Sequence, residues 1–170
     1  MSDEQPPVPQ IARTRRVGPL EYRSIEGPLS AAVIGRVADL NEGLFGFGET
    51  ATQLAGFFES RRRLLLCLAL HNGDLVGFKV GFEAQPRTFE SWRGGVHEDA
   101  RRNGVARELM RMQHVWCQEK GFQVIKTTTS SDNVPMLIVN LQSGFEIVGS
   151  FVNRHKRLKI LQEKWLVTSS

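Results

Sequence analysis

Residues 89–107 read FESWRGGVHEDARRNGVAR, and this stretch decides the fold. Thr88 to Val96 is strand-like and broken by Gly94-Gly95, whereas from Gly104 to about Lys120 the apolar Val105, Leu109, Met112 and Trp116 recur at helical spacing. A strand therefore passes through a basic, glycine-containing loop into a helix. The first N–H groups of a helix have no partners within it and carry the positive end of its dipole, so the junction forms a nest for phosphate. Gly104 lets a ligand approach the backbone closely, and Ala106 keeps the next turn small. Arg101, Arg102 and Arg107 add cationic charge around Asn103. Nucleotide hydrolysis and dinucleotide binding are poor readings: the chain has no Gly-Lys-Ser/Thr triplet and no Gly-x-Gly-x-x-Gly after a strand.

The spacing Arg101-x-x-Gly104-x-Ala106 resembles the (Gln/Arg)-x-x-Gly-x-(Gly/Ala) loop of the GCN5-related N-acetyltransferases, the GNAT superfamily. Gly94-Gly95-Val96 stands where that family ends its fourth strand. Asn133-Val-Pro-Met136-Leu-Ile-Val-Asn140-Leu-Gln-Ser-Gly144-Phe145 is similar to its later Asn-helix-Gly-Phe segment. The resemblance spans roughly Tyr22 to Trp165. It implies a cofactor, acetyl-CoA, whose diphosphate lies on Arg101 to Arg107 (Val105 included) and whose pantetheine arm runs beside Gly94, Gly95 and Val96 like an added strand. Asn133 and Asn140 are implied contacts of that arm, although Asn133 serves equally well as a helix cap.

Bulk composition agrees with one domain. The 170 residues are 41% hydrophobic and 24% charged, enough for a single packed core. A formal charge of +4 suits an anionic partner, but the basic residues are scattered rather than blocked. The run Arg154-His155-Lys156-Arg157 raises a nucleic-acid surface as an alternative and reads more simply as a solvated hairpin turn. Cys67 and Cys117 sit in apolar runs without metal-ligand spacing and read as buried thiols. No apolar stretch is long enough to span a membrane and the start MSDEQPPVPQ has no signal pattern, so the chain reads as cytoplasmic.

Taken in order, Met1 to about Pro19 reads as an extended or disordered arm. Leu20 to Ile25 is a first strand, and Ser30 caps a helix that ends before Glu42-Gly43. A second helix is expected from about Glu49 to Arg61 with Leu54, Phe57 and Phe58 inward. Leu44-Phe45-Gly46-Phe47-Gly48 joins the two, and the resemblance implies that this helix pair lines the acceptor pocket. Leu64 to His71, LLLCLALH, suits a strand covered on both faces, and a tight turn at Gly73 leads into an alternating strand, Leu75 to Glu83. Alternation there places Val76, Phe78, Val80 and Phe82 on one face and Gly77, Lys79 and Gly81 on the other. Phe122 to Thr129 is a strand, Asn133 starts a helix ended by Gly144, and two strands, about Phe145 to Val152 and Lys156 to Trp165, finish the sheet. The expected fold class is α+β in three layers: a mixed, mostly antiparallel sheet of six or seven strands with helices on both faces.

The resemblance implies transfer of a short acyl group from coenzyme A to an amine. A lysine-like ammonium has a pKa of about 10.4, so a base must help it lose a proton. Glu90, eleven residues before Arg101, matches the base glutamate of the histone-acetylating branch, and alternation puts it on one face with Trp92, Gly94 and Val96. His97 is a second candidate; Glu98 and Asp99 offset arginine charge or cap the helix. Backbone N–H groups of Gly94 to Val96 are placed to hold an oxyanion. Many relatives carry a tyrosine acid seven residues after the Asn of the later helix, where this chain has Asn140; its only tyrosine is Tyr22. Thr128 stands where a branch acting on protein N-termini has a glutamate, which argues against that branch. The departures leave two readings, a direct-transfer N-acetyltransferase or an acyl-CoA-binding sensor. A hydrophobic final strand can also pair across a homodimer.

Overall fold

The computed structural model describes residues 11–46 and 48–166, with side chains from residue 13 onward. Residues 1–10 of the expected arm and Phe47 of the helix connection lie outside the described residues. Eight strands form one sheet: β1 (Ile11–Val17), β2 (Leu20–Glu26), β3 (Arg62–His71), β4 (Asp74–Gln85), β5 (Thr88–Val96), β6 (Val124–Ser130), β7 (Glu146–Val152) and β8 (Leu158–Trp165). Their spatial order is β1-β2-β3-β4-β5-β6-β8-β7, and every neighbouring pair is antiparallel except β5 with β6. The strand beyond the six or seven expected is β1, cut from the presumed arm. It pairs with β2 at the sheet edge, and Arg13 and Arg15 bond to Glu119 and Glu108 at 2.7 and 2.8 Å.

Helices α1 (Ala31–Phe45) and α2 (Ala51–Glu59) cover one face, and α3 (Val105–Glu119) and α4 (Val134–Gln142) the other. The split follows from β3. Leu65, Cys67 and Ala69 point to α3, Leu64, Leu66, Leu68 and Leu70 to α1 and α2, and all seven are buried. A Ser30 cap starts α1 as expected, with its hydroxyl accepting from Val33 N–H. The helix nevertheless runs on through Gly43 to Phe45 and stops at left-handed Gly46, because Val37, Ala38 and Asn41 keep its buried face going. Thr50 and Gln53 form a capping box that starts α2 two residues later than expected.

Two bulges correct the simple alternation. On β4 Ala69 faces Gly77 while Leu70 faces Leu75, so Val76 is an extra residue and packs with the α3 layer, not with Phe78, Val80 and Phe82. On β5 Val80 faces Arg93 while Gly81 faces Ser91, so Trp92 is extra. Glu90 and Trp92 therefore share the α1/α2 face, whereas Val96 packs in the α3 core, opposite to the expected grouping.

Candidate functional site

The parallel pairing of β5 and β6 is short. It covers Thr88 with Val124, Phe89 with Ile125 and Glu90 with Lys126, after which β5 continues to Val96 and β6 to Ser130 without pairing to each other. The Thr127 hydroxyl donates to the Ser91 carbonyl at 2.9 Å at the point of divergence. Beyond it the β6-facing edge of β5 is open, and a V-shaped gap runs from Glu90 to the loop before α3. An open strand edge is a ready partner for an extended chain with amide groups.

The loop at the wide end is braced by its own residues. His97 N–H donates to the Val76 carbonyl at 2.7 Å, Glu98–Ala100 form a 3-10 turn, and Arg101 Nε donates to the Val96 carbonyl at 3.0 Å. Asn103 Nδ2 lies 3.4 Å from the Arg101 carbonyl, and Arg102 and Gly104 both take positive φ. Gly104 is the N-cap of α3 and supplies no side-chain cap, so the amides of the first turn point outward without a side-chain acceptor. They border a cleft of about 400 Å³ whose walls are Val96, Ala100, Arg101, Arg102, Gly104 to Arg107 and, from α4, Val139. A somewhat larger hollow, about 460 Å³, lies beyond Arg107 between α3 and the end of β8; it lacks the free amides. Arg107 separates the two by donating to Gln142 Oε1 at 2.8 Å.

The glycines before the loop are partly explained by the protein's own packing. A Cβ on Gly95 would stand 2.5 Å from Leu44 Cδ1, and one on Gly94 would stand 3.0 Å from the Phe78 carbonyl oxygen and 3.4 Å from Lys79 Cγ. Gly95 thus admits the end of α1, and Gly94 keeps clear of the Phe78 carbonyl, with the Lys79 stem alongside.

Glu90 stands at the closed end of the gap, mostly covered and 3.3 Å from Lys126. The β5 bulge turns Arg93 to the same face, where it pairs with Glu49 and lies 4.2 Å over the Trp92 ring; Phe57 stacks on that ring at 4.4 Å. His97 is placed differently. Its Nδ1 accepts from Asp99 N–H at 3.3 Å, so the ring caps the 3-10 turn at the loop rather than reaching the closed end. Asn133 caps α4 by accepting from Met136 N–H at 3.3 Å. Asn140 is buried and donates to Thr129 Oγ1 at 3.2 Å and Gln162 Oε1 at 2.9 Å, so its amide braces α4 on the sheet and does not line the cleft. Tyr22 is 2% exposed in the core, where burial raises its pKa, and cannot replace the absent tyrosine acid. Both cysteines are buried and free, with burial pushing Cys67 up to about 12 and Cys117 higher, so neither is a nucleophile.

Groups not singled out by motif also face this region. Among the described residues Ser91 Oγ and both amide atoms of Gln113 are buried without hydrogen-bond partners, and the Lys79 stem lies beside Gly94. The available signal was a lysine between Gly77 and Gly81 on a strand covered on both faces.

A sheet that splays between two parallel strands, with a helix start lining the cleft at its wide end, defines an architecture open to an extended ligand with an anionic end. The Acetyltransferase (GNAT) family model matches residues 36–145, and the chain belongs to that family. The fold is shared with the ribosomal-protein-S18-alanine N-acetyltransferase of Escherichia coli at TM-score 0.72 and 12% identity, over 86% of this chain and 96% of that one. Ard1 of Thermoplasma volcanium gives 0.72 and 17% over 85% and 98%. The yncA protein of Salmonella typhimurium, solved with its cofactor acetyl-CoA, gives 0.71 and 12% over 90% and 97%. No curated protein sequence matches the chain significantly. Members of the family use acetyl-CoA, and the open edge, free amides and three arginines fit its arm and diphosphate. No helix among the described residues is long and apolar enough to cross a membrane.

Proposed function

We propose that the chain is an N-acetyltransferase that moves an acetyl group from acetyl-CoA to a primary amine by direct transfer within one ternary complex. The observation that carries this is the continuity of the gap: it begins at the free amides of α3 and ends at a carboxylate, Glu90, on the opposite face of the sheet. Bound acetyl-CoA supplies the activated acetyl group. Arg101, Arg102, Arg107 and the amides from Gly104 to Ala106 hold its diphosphate, and the open edge from Gly94 to Val96 aligns the arm.

The acceptor enters from the α1/α2 face, past Leu44, Phe45 and the Arg93–Glu49 pair. Glu90 takes the ammonium proton, directly or through water, and Lys126 keeps the carboxylate in place. The freed nitrogen bonds to the carbonyl carbon, the carbon–sulfur bond breaks, and N–H groups between Gly94 and Val96 stabilise the oxygen as charge develops. His97 is the weaker candidate for base because its ring is engaged with Asp99.

A second reading, an acyl-CoA-binding sensor without turnover, is favoured by one observation: Asn140 replaces the usual acid and Tyr22 is buried elsewhere. Calorimetric titration with acetyl-CoA, followed by free-thiol release across small amines, polyamines and peptides, separates the two. Thiol release dependent on one acceptor class supports the enzyme. Tight binding with release on none supports the sensor, and failure to bind acetyl-CoA refutes both.

A further inference from the structure

Lys79 lies in the middle of β4, paired with Cys67 on β3 and with Gly94 on β5. Cys67 belongs to the core beneath α3, so its register partner faces the same layer. The lysine stem passes beside the bare backbone of Gly94, on the strand whose far edge β6 leaves open. Among the described residues its ammonium has neither an ion-pair partner nor a hydrogen bond.

The groups that surround it do not supply a counter-charge. From β3 comes the Cys67 thiol, which burial keeps protonated; from α3 comes His114, held neutral, with Lys164 of β8 behind it at 3.1 Å. Glu90, the carboxylate on β5, faces the other side of the sheet. Ser91 Oγ and the Gln113 amide are likewise buried without partners. Gln113 follows Leu109 by one turn on the buried side of α3, and Leu109 packs over Gly77, two residues before Lys79. A half-buried ammonium with no carboxylate beside it on this face is free to pair with an anion that enters along the open edge.

We propose that Lys79 is a catalytic residue: its ammonium meets the sulfur of coenzyme A beside Gly94, pairs with it as the carbon–sulfur bond breaks, and protonates it. This rests on the acetyl-CoA reading above. The electron pair of the broken bond goes to sulfur, one Nζ proton follows, and Lys79 is left as a neutral amine. The proton released by the acceptor and passed through Glu90 to solvent restores the ammonium, so the cycle closes. Burial lowers Lys79 to about 8, close to the ordinary thiol value of about 8.5, so the proton moves with little change in free energy. This assigns a proton donor to a chain whose only tyrosine is buried in the core.

The test needs no acceptor. The thiol of coenzyme A bound to the protein is titrated by its thiolate ultraviolet absorbance, with desulfo-coenzyme A as the blank. An ammonium in contact should lower the bound thiol by about one to three pKa units, roughly a 10- to 1000-fold gain in thiolate at a given pH. Lys79→Met and Lys79→Gln, which remove an unpaired, half-buried charge while keeping the stem, should still bind coenzyme A and lose the shift; Lys79→Arg should keep it. Circular dichroism confirms folding of each variant. Tight binding with the same thiol titration in wild type and both neutral variants overturns the role of Lys79. No binding of coenzyme A by the wild type overturns the cofactor reading, and this proposal with it.

Discussion

Gly104 separates the two demands made on the start of α3. It sits at φ 73°, lines the cleft, and a Cβ built on it meets no atom within 4 Å. Gly104→Ala therefore adds a methyl without a clash, and its cost is the left-handed backbone alone, about 1–2 kcal/mol. At this chain length that lowers the melting temperature by roughly 2–8 °C. Gly104→Glu carries similar backbone strain but places a carboxylate among the amides meant for a diphosphate. Two like charges about 5 Å apart at an effective dielectric near 20 repel by roughly 3 kcal/mol, and exposure to solvent reduces this to about 1.5–3 kcal/mol. The affinity for coenzyme A should then fall about 10- to 100-fold below that of Gly104→Ala. Differential scanning fluorimetry and isothermal titration of both variants give the two quantities separately. Equal affinities for coenzyme A in the Ala and Glu variants would refute the assignment of this helix start as the diphosphate seat.

Glu90→Gln should lower kcat by about 100- to 10,000-fold once an acceptor is known, with acetyl-CoA affinity unchanged; a loss confined to acetyl-CoA binding counts against a base role. His114 is held down to about 3 by burial first and then by Lys164 and Lys79, so the unfolded chain takes up a proton near pH 6.5 that the folded chain refuses. Stability is whole above about pH 6.5 and declines as pH falls toward 3, by at most about 1.4 kcal/mol per unit; urea midpoints at several pH values should show this slope flattened in His114→Gln. Trp116→Phe removes the 2.7 Å donor to Glu26, the leading cause of that carboxyl's lowered pKa, and should cost about 1–2 kcal/mol by thermal melting while raising the Glu26 pKa, read by NMR titration. Lys120, 3.1 Å from the same carboxylate, keeps Glu26 charged and limits the loss.

Strand β3 and helix α3 were legible because burial leaves a local mark. A strand covered on both faces is continuously apolar, and a helix packed on a sheet repeats at three and four residues. Strand β1 left no such mark. It is an edge strand with three arginines and exposed side chains from Arg13 to Val17, held by pairing with β2 and by bonds to Glu119 and Glu108, about a hundred residues away. Such partners are fixed by tertiary structure, and no window of sequence contains them. The bulges at Val76 and Trp92 were hidden for a related reason. Alternation assumes that each residue faces one partner, and an extra residue on one strand depends on the neighbouring strand's register.

The site divides along the same line. Its loop could be read from Arg101, Gly104 and Ala106 because free amides at a helix start are a local property of the backbone. Asn140 could not: its place in the motif suggests a cofactor contact, and only the packing of α4 on β6 and β8 turns its amide toward Thr129 and Gln162. Lys79 is the converse case. On an alternating strand it reads as an ordinary outward lysine, and three separate facts make it otherwise: α3 covers that face, its register partner Gly94 carries no side chain, and β6 diverges beyond Lys126. Each fact alone has a bland explanation in packing. Together they leave an ammonium with no counter-ion among the described residues beside an open strand edge, where an anion can pair with it.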